Sequence, residues 1–211
     1  MIIELYGCPG CGKTYLIQRI TGQTNTVAMS DSNIKNMLIN IAKKTSLLSP
    51  KSMRLNRKIL ICVKNENDKP LYVNKVVEYF VRNIVLLSFG YRHIKKDMFM
   101  AEGLVHRVVS MAVNFGWNSD VVDRIMLVLS DEMKDVHPFY LEVDVETCFR
   151  SIKERNRHET QMDELDDKNL RSFLNEYEKL FSYVTDNYNF EKVTRDDYRP
   201  IEEVIKWFAM L

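Results

Sequence analysis

The chain of 211 residues has no apolar run close to the roughly 20 residues needed to cross a membrane. Residues 1–6 read MIIELY, with no basic residue and with Glu4 interrupting the apolar stretch. Neither a membrane span nor a secretory signal is expected, and a cytoplasmic location is. Glycine (7) and proline (5) are scarce, which excludes collagen-like and linker-like classes, while 45% hydrophobic and 28% charged residues exclude disorder. Neither sign of charge is in excess. Thirty basic against twenty-nine acidic side chains leave +1, so no global field holds nucleic acid or an anionic membrane, and any phosphate site has to be local. Four cysteines do not make a disulfide framework, and Cys62 and Cys148, in apolar-periodic stretches, read as small buried hydrophobes.

The length fits one domain of ordinary size carrying an insertion. Residues 2–6 form a β-type run, a glycine-containing segment follows, and Leu16, Ile17 and Ile20 then recur at helical spacing. Residues 27–29 and 98–101 are further short strands, and residues 33–87 are mainly helical, with one break at 67–70. Helical patterning also covers 103–115, 119–134, 145–155, 170–184 and the segment opened by Pro200, although IMLVL at 125–129 alone is compatible with a strand. Strands follow at 138–143 and 190–193, and residues 156–167 are polar and dense in charge, as in a mobile loop. Strands alternating with helices imply a parallel sheet covered by helices, with an extra helical lobe between the second and third strands.

Gly7-Cys8-Pro9-Gly10-Cys11-Gly12-Lys13-Thr14 satisfies G-x-x-x-x-G-K-[ST] at every fixed position, with a strand before it and an amphipathic helix after it. Glycines let successive backbone N–H groups curl around a β-phosphate, and the helix aims its positive dipole end at the anion. Lys13 would bridge the β- and γ-phosphates, and the Thr14 hydroxyl would face Mg²⁺. Cys8 and Cys11 also fit C-x-x-C, but they stand at variable positions of the phosphate loop, where any small residue serves. A disulfide between them would distort the loop.

Two classes of phosphate-loop protein lack their marks. No hydrophobic strand ends in Asp-Asp or Asp-Glu as in assembly-coupled ATPases, and Asn65-Glu-Asn-Asp68 is not the guanine-reading Asn-Lys-x-Asp. The chain resembles the P-loop nucleoside and nucleotide kinases over nearly its whole length, in particular their thymidylate-kinase-like branch. The resemblance rests on the loop at 7–14, on Met98-Phe-Met-Ala-Glu-Gly-Leu-Val-His-Arg107, on Tyr140-Leu-Glu-Val-Asp144, on Ser151-Ile-Lys-Glu-Arg-Asn-Arg157 and on the closing strand and helix. It implies an α/β, three-layer P-loop kinase fold: a five-stranded parallel sheet, a helical acceptor-binding insertion at about 31–95 and a lid at about 150–168, all within one domain, 1–211. It further implies an ATP- and Mg²⁺-dependent phosphotransferase acting on a small acceptor, most simply a nucleoside or nucleoside monophosphate, as a monomer or homodimer.

The same resemblance assigns roles. Glu102 stands where the family has an acidic residue that acts as base or holds Mg²⁺ through water; a glutamate complementing a helix dipole is the plain alternative. Arg107 would reach the acceptor, while His106 reads better as a packing or surface histidine. Arg155 and Arg157 would clamp the transferring phosphoryl group as lid arginines. Arg150, one position early for the family pattern, is the candidate for stacking on adenine. Lys51, Arg54, Arg57 and Lys58 lie in the helical lobe and either grip a phosphorylated acceptor or form a solvated helix face. Thymidylate specificity is not expected, because Met29-Ser-Asp31 and Ala101-Glu-Gly103 replace the Arg-Glu-Pro and Asp-Arg-aromatic of thymidylate kinases. A kinase of a sugar or other metabolite, and a non-catalytic ATP-binding switch protein, remain open from sequence.

Overall fold

In a computed structural model, residues 1–22, 27–29, 49–66, 76–93, 98–155 and 162–209 are described, with 27–29, 208 and 209 as backbone only. Strand β1 (Ile2–Tyr6) leads through the phosphate loop into α1 (Lys13–Thr21), followed by β2 (Val27–Met29), α2 (Pro50–Val63) and α3 (Val77–His93). Then come β3 (Met98–Met100), α4 (Leu104–Phe115), α5 (Ser119–Leu129), β4 (Val136–Leu141), α6 (Val145–Arg155), α7 (Asp167–Asn187), β5 (Glu191–Val193) and α8 (Arg199–Ala209). Arg157, residues 33–48, the 67–70 break and residues 30–31 lie outside the described residues.

All pairings are parallel, in the order β2-β3-β1-β4-β5. Four strands carry described side chains, and β2 completes the edge as backbone. β1 is central and wholly buried, as a strand covered by helices on both faces must be. Because the chain leaves β1 in the middle of the sheet, the phosphate loop lies at its C-terminal rim, where ligands bind in open α/β sheets.

Local chemistry sets the element ends. Asn118 accepts from the Val121 N–H at 3.4 Å and starts α5, which explains why the IMLVL run is helical and not a strand. Asp166 caps α7 through the Asn169 N–H at 2.8 Å. β4 begins two residues before the expected Pro138; that proline, which has no N–H to give, lies just ahead of the three residues that β5 pairs. Above the sheet, Tyr6 stacks on Tyr140 with ring centroids 5.6 Å apart and meets Phe181 of α7 at 5.4 Å. Helix α4 packs on β1 and is itself covered by α3, α5 and α7.

The helical lobe is tied together by the buried carboxylate of Glu132, beyond α5. It accepts from Ser88 Oγ at 2.8 Å and pairs with Arg92 of α3 at 3.4 Å and Lys51 of α2 at 3.2 Å. That pairing takes Lys51 out of the set expected to grip an acceptor, and Arg54, Arg57 and Lys58 are exposed. None of the four lines the cleft described below. Arg57 instead lines a separate hollow between α2 and α3, with Leu60, Val63, Val77 and Glu78.

Candidate active site

The phosphate loop turns back on itself through Gly7, Gly10 and Gly12, all with positive φ. At Gly10 (φ 83°) a side chain is excluded twice over: a Cβ would strain the backbone and come within 2.6 Å of the Cys148 carbonyl oxygen in α6. The loop is therefore seated directly on α6. Lys13 is buried, its Nζ donating to the carbonyls of Gly7 at 2.9 Å and Cys8 at 3.1 Å. Thr14 is exposed at the mouth of α1.

A cleft of about 770 Å³ runs along this loop. Pro9, Gly10, Gly12, Lys13 and Thr14 line one side; Ala101 and Glu102 line another; Ser151, Glu154 and Arg155 of α6, with Met162 and Asp163 beyond it, form the third. Of the expected lid residues, Arg155 is thus brought to the cleft. Arg150 is not: it precedes Arg155 by five residues, about 140° around the helix, and donates instead to Thr147 Oγ1 at 3.3 Å on an exposed face. Ser151, one turn before Arg155, takes the cleft-facing place.

Glu102 sits in the tight turn between β3 and α4 with φ 126°, a conformation that costs a non-glycine residue about 1–3 kcal/mol. Its half-exposed carboxylate opens onto the main cleft and also onto a second recess of about 160 Å³, lined by Tyr79, Phe80 and Asn83 of α3 and His106, Arg107 and Ser110 of α4. Arg107 therefore shares a recess with Glu102. His106 is a buried packing residue, stacked on Phe181 at 5.5 Å, and also lies 3.9 Å from Glu102 through Nε2. Burial, reinforced by the nearby cations Lys13 and Arg107, holds its imidazole well below the ordinary pKa, so the ring is neutral and the contact with Glu102 is not an ion pair.

Two further groups act here that patterning does not reveal. Arg195, in the loop after β5, donates from Nε to the Cys11 carbonyl at 2.9 Å and from Nη2 to that of Gly10 at 3.3 Å, and it lines the cleft. It is 184 residues from Cys11, and nothing in the sequence separates it from Arg199, the other arginine of the segment before Pro200. Glu4 lies fully buried in β1; its Oε1 accepts from the His106 N–H at 3.0 Å, and the Val105 and Leu104 amides also favour its charge. Desolvation outweighs them and pushes the carboxyl up to about 7.

The loop cysteines face inward. Cys8 Sγ lies 3.9 Å from the Leu174 carbonyl and hydrogen-bonds with Cys148, and Cys11 Sγ lies 3.7 Å from Lys13 Nζ. Both thiols are buried and held above their ordinary pKa, Cys8 chiefly by Cys148 and then burial, Cys11 by burial. Pro9, between them, lines the cleft instead.

No family model and no curated protein matches the chain. Solved structures do. Deoxyadenosine kinase from M. mycoides with bound dATP is similar at 15% identity and a TM-score of 0.53, with 99% of each chain covered. The same enzyme with bound dCTP gives 17% and 0.52 with both chains fully covered, and with the products dCMP and a flexible dCDP 13% and 0.55, covering 100% of this chain and 99% of that one. The chain therefore shares the α/β fold of that deoxyadenosine kinase.

Proposed function

We propose that this protein is an ATP-dependent phosphotransferase of the nucleoside-kinase type, moving the ATP γ-phosphate to a nucleoside or nucleoside monophosphate. The observation that carries the reading is the placement of Glu102, whose single carboxylate borders both the phosphate-loop cleft and the recess between α3 and α4. A group in that position meets the γ-phosphate side and the acceptor side at once, which is what a general base for phosphoryl transfer requires. The fold shared with a deoxyadenosine kinase supports the same reading, and the Tyr140-Leu-Glu-Val-Asp144 and lid-helix motifs support a thymidylate-kinase-like arrangement of it.

The donor set fits a nucleotide with its metal ion. Cβ atoms at Gly10 or Gly12 would crowd the walls that hold the loop open, Lys13 supplies a cation beside it, and Thr14 offers an exposed hydroxyl at the helix mouth. Mg²⁺, when bound, would neutralise charge developing on the phosphates. Lys13 and the loop amides hold the phosphates, Arg155 adds positive charge from the lid helix, and Glu102 orients or deprotonates the acceptor. The recess, with the edge-to-face rings of Tyr79 and Phe80 and the polar Asn83, Arg107 and Ser110, suits a flat polar acceptor better than an aliphatic one.

A panel of nucleosides, nucleoside monophosphates, sugars and polyols, read by ADP release, tests this. Release is expected to rise with a nucleoside or its monophosphate. Lys13→Ala is expected to abolish transfer with the fold intact, and Glu102→Gln to lower kcat about a hundredfold or more while the KM for ATP stays within about threefold. ADP release that no acceptor stimulates, or full transfer by Glu102→Gln, would overturn it.

A further inference from the structure

We propose that Glu4 is a positioning residue for Glu102: from strand β1 its carboxylate serves as the N-terminal cap that helix α4 lacks, and so fixes the strained turn on which Glu102 stands. The inference rests on the proposed role of Glu102. Every α-helix begins with N–H groups that have no partner within the helix. At α4 the capping position is Gly103, which has no side chain to offer, and no side-chain cap is made from within the segment. The groups left over are the amides of Leu104, Val105 and His106. Glu4 takes the last of these at 3.0 Å and supports its charge with the other two.

Gly103 is the counterpart of this arrangement. Its backbone is in an ordinary extended conformation (φ −75°), so glycine is not required there for its freedom. It is required for space, since a Cβ at position 103 would overlap the carboxyl carbon, Cγ and Oε2 of Glu4. Glu4 and Gly103 form one contact in which the carboxylate occupies the volume a side chain would fill, and Glu102 is the next residue back along the chain. With Gly103 pressed on Glu4 and the following amides drawn to the same carboxylate, residues 101–103 have little freedom, and Glu102 is held at φ 126° facing the cleft. The other Glu4 oxygen, Oε2, is buried without a hydrogen bond of good geometry, a cost that the contact of Oε1 with α4 has to offset.

The test combines kinetics with amide hydrogen exchange. At pH 8, where the carboxylate is ionised, Glu4→Ala is expected to speed exchange at residues 104–106 by about tenfold to a hundredfold, the size of a lost hydrogen bond to a charged group. The same variant is expected to lower kcat about tenfold or more with the KM for ATP within about twofold. Glu4→Gln, which keeps an acceptor oxygen at the same reach, is expected to restore part of both. Gly103→Ala is expected to be strongly damaging in the presence of Glu4 and mild in the Glu4→Ala background, where the overlapping carboxylate is gone. Unchanged exchange at 104–106 in Glu4→Ala, equal effects of Gly103→Ala in both backgrounds, or a KM for ATP that rises in step with any fall in kcat would each overturn the assignment. Should no acceptor be phosphorylated by the unaltered protein, the phosphotransferase reading fails by itself, and the exchange and the Glu4–Gly103 coupling still decide whether Glu4 holds the turn.

Discussion

Replacing Glu4 with glutamine removes the most deeply buried carboxyl of the site and, with it, a definite dependence of stability on pH. Burial raises this group from its ordinary 4.5 to about 7. The folded protein therefore keeps a proton that the unfolded chain releases near pH 4.5. Stability from this source is fully present below pH 4.5, declines as pH rises, and is lost above about 7. At 1.36 kcal/mol for each tenfold change in proton affinity, the difference between 4.5 and 7 is roughly 3 kcal/mol. Urea unfolding of both proteins at pH 4.5, 5.5, 6.5 and 8 reads it directly. Carboxylates held low by partners, such as Asp197 beside Arg199, act with the opposite sign, but they are common to both proteins and cancel in the comparison. The glutamine variant is expected to gain on the unaltered protein by about 3 kcal/mol between pH 4.5 and pH 8, a midpoint shift of roughly 1.5 M urea at an m-value near 2 kcal/mol/M. Any constant offset from the amide's fit is irrelevant, since the slope alone carries the effect. Curves that stay parallel across this range would refute a desolvated carboxyl at position 4.

Other outcomes follow from the loop. Arg195→Ala removes two hydrogen bonds to loop carbonyls and is expected to raise the KM for ATP about tenfold, with Arg195→Lys restoring little because the planar fork is lost; an unchanged KM would show that the loop holds its shape without it. Gly10→Ala combines positive φ with the approach to Cys148 and is expected to cost about 3 kcal/mol, a fall in melting temperature of about 9 °C by thermal scan. Cys8, Cys11 and Cys148 are all buried, and contact with Cys8 lowers the pKa of the Cys148 thiol without giving it access to solvent, so the native protein titrated with an aromatic disulfide reagent is expected to react at Cys62 alone, the half-buried thiol, and activity is expected to be equal with and without reductant.

The residues whose role is local are the ones patterning reveals. The phosphate loop needs consecutive positions of fixed type, and helix α6 is bounded by its own periodicity at Val145–Arg155. Arg150 shows where that reading stops. Spacing by motif permits it at the cleft, whereas the rotation of about 100° per residue along α6 puts it on another face than Arg155. Lys51 likewise looks available in a list of cations and is committed to Glu132, a partner 81 residues away.

The sequence by itself determined the first strand, the glycine loop with its lysine, the alternation of strands and helices, and the acidic residue after the third strand, because each of these depends on neighbours along the chain. Only the tertiary structure decided that Glu4, an interruption in an apolar run, is the cap of a helix a hundred residues later, and that Arg195 braces the loop from the far end of the chain. A strand buried on both faces has no polar side from which the orientation of one carboxylate can be read. What that carboxylate faces is set by which helix crosses above it, and that is a property of the packed sheet alone.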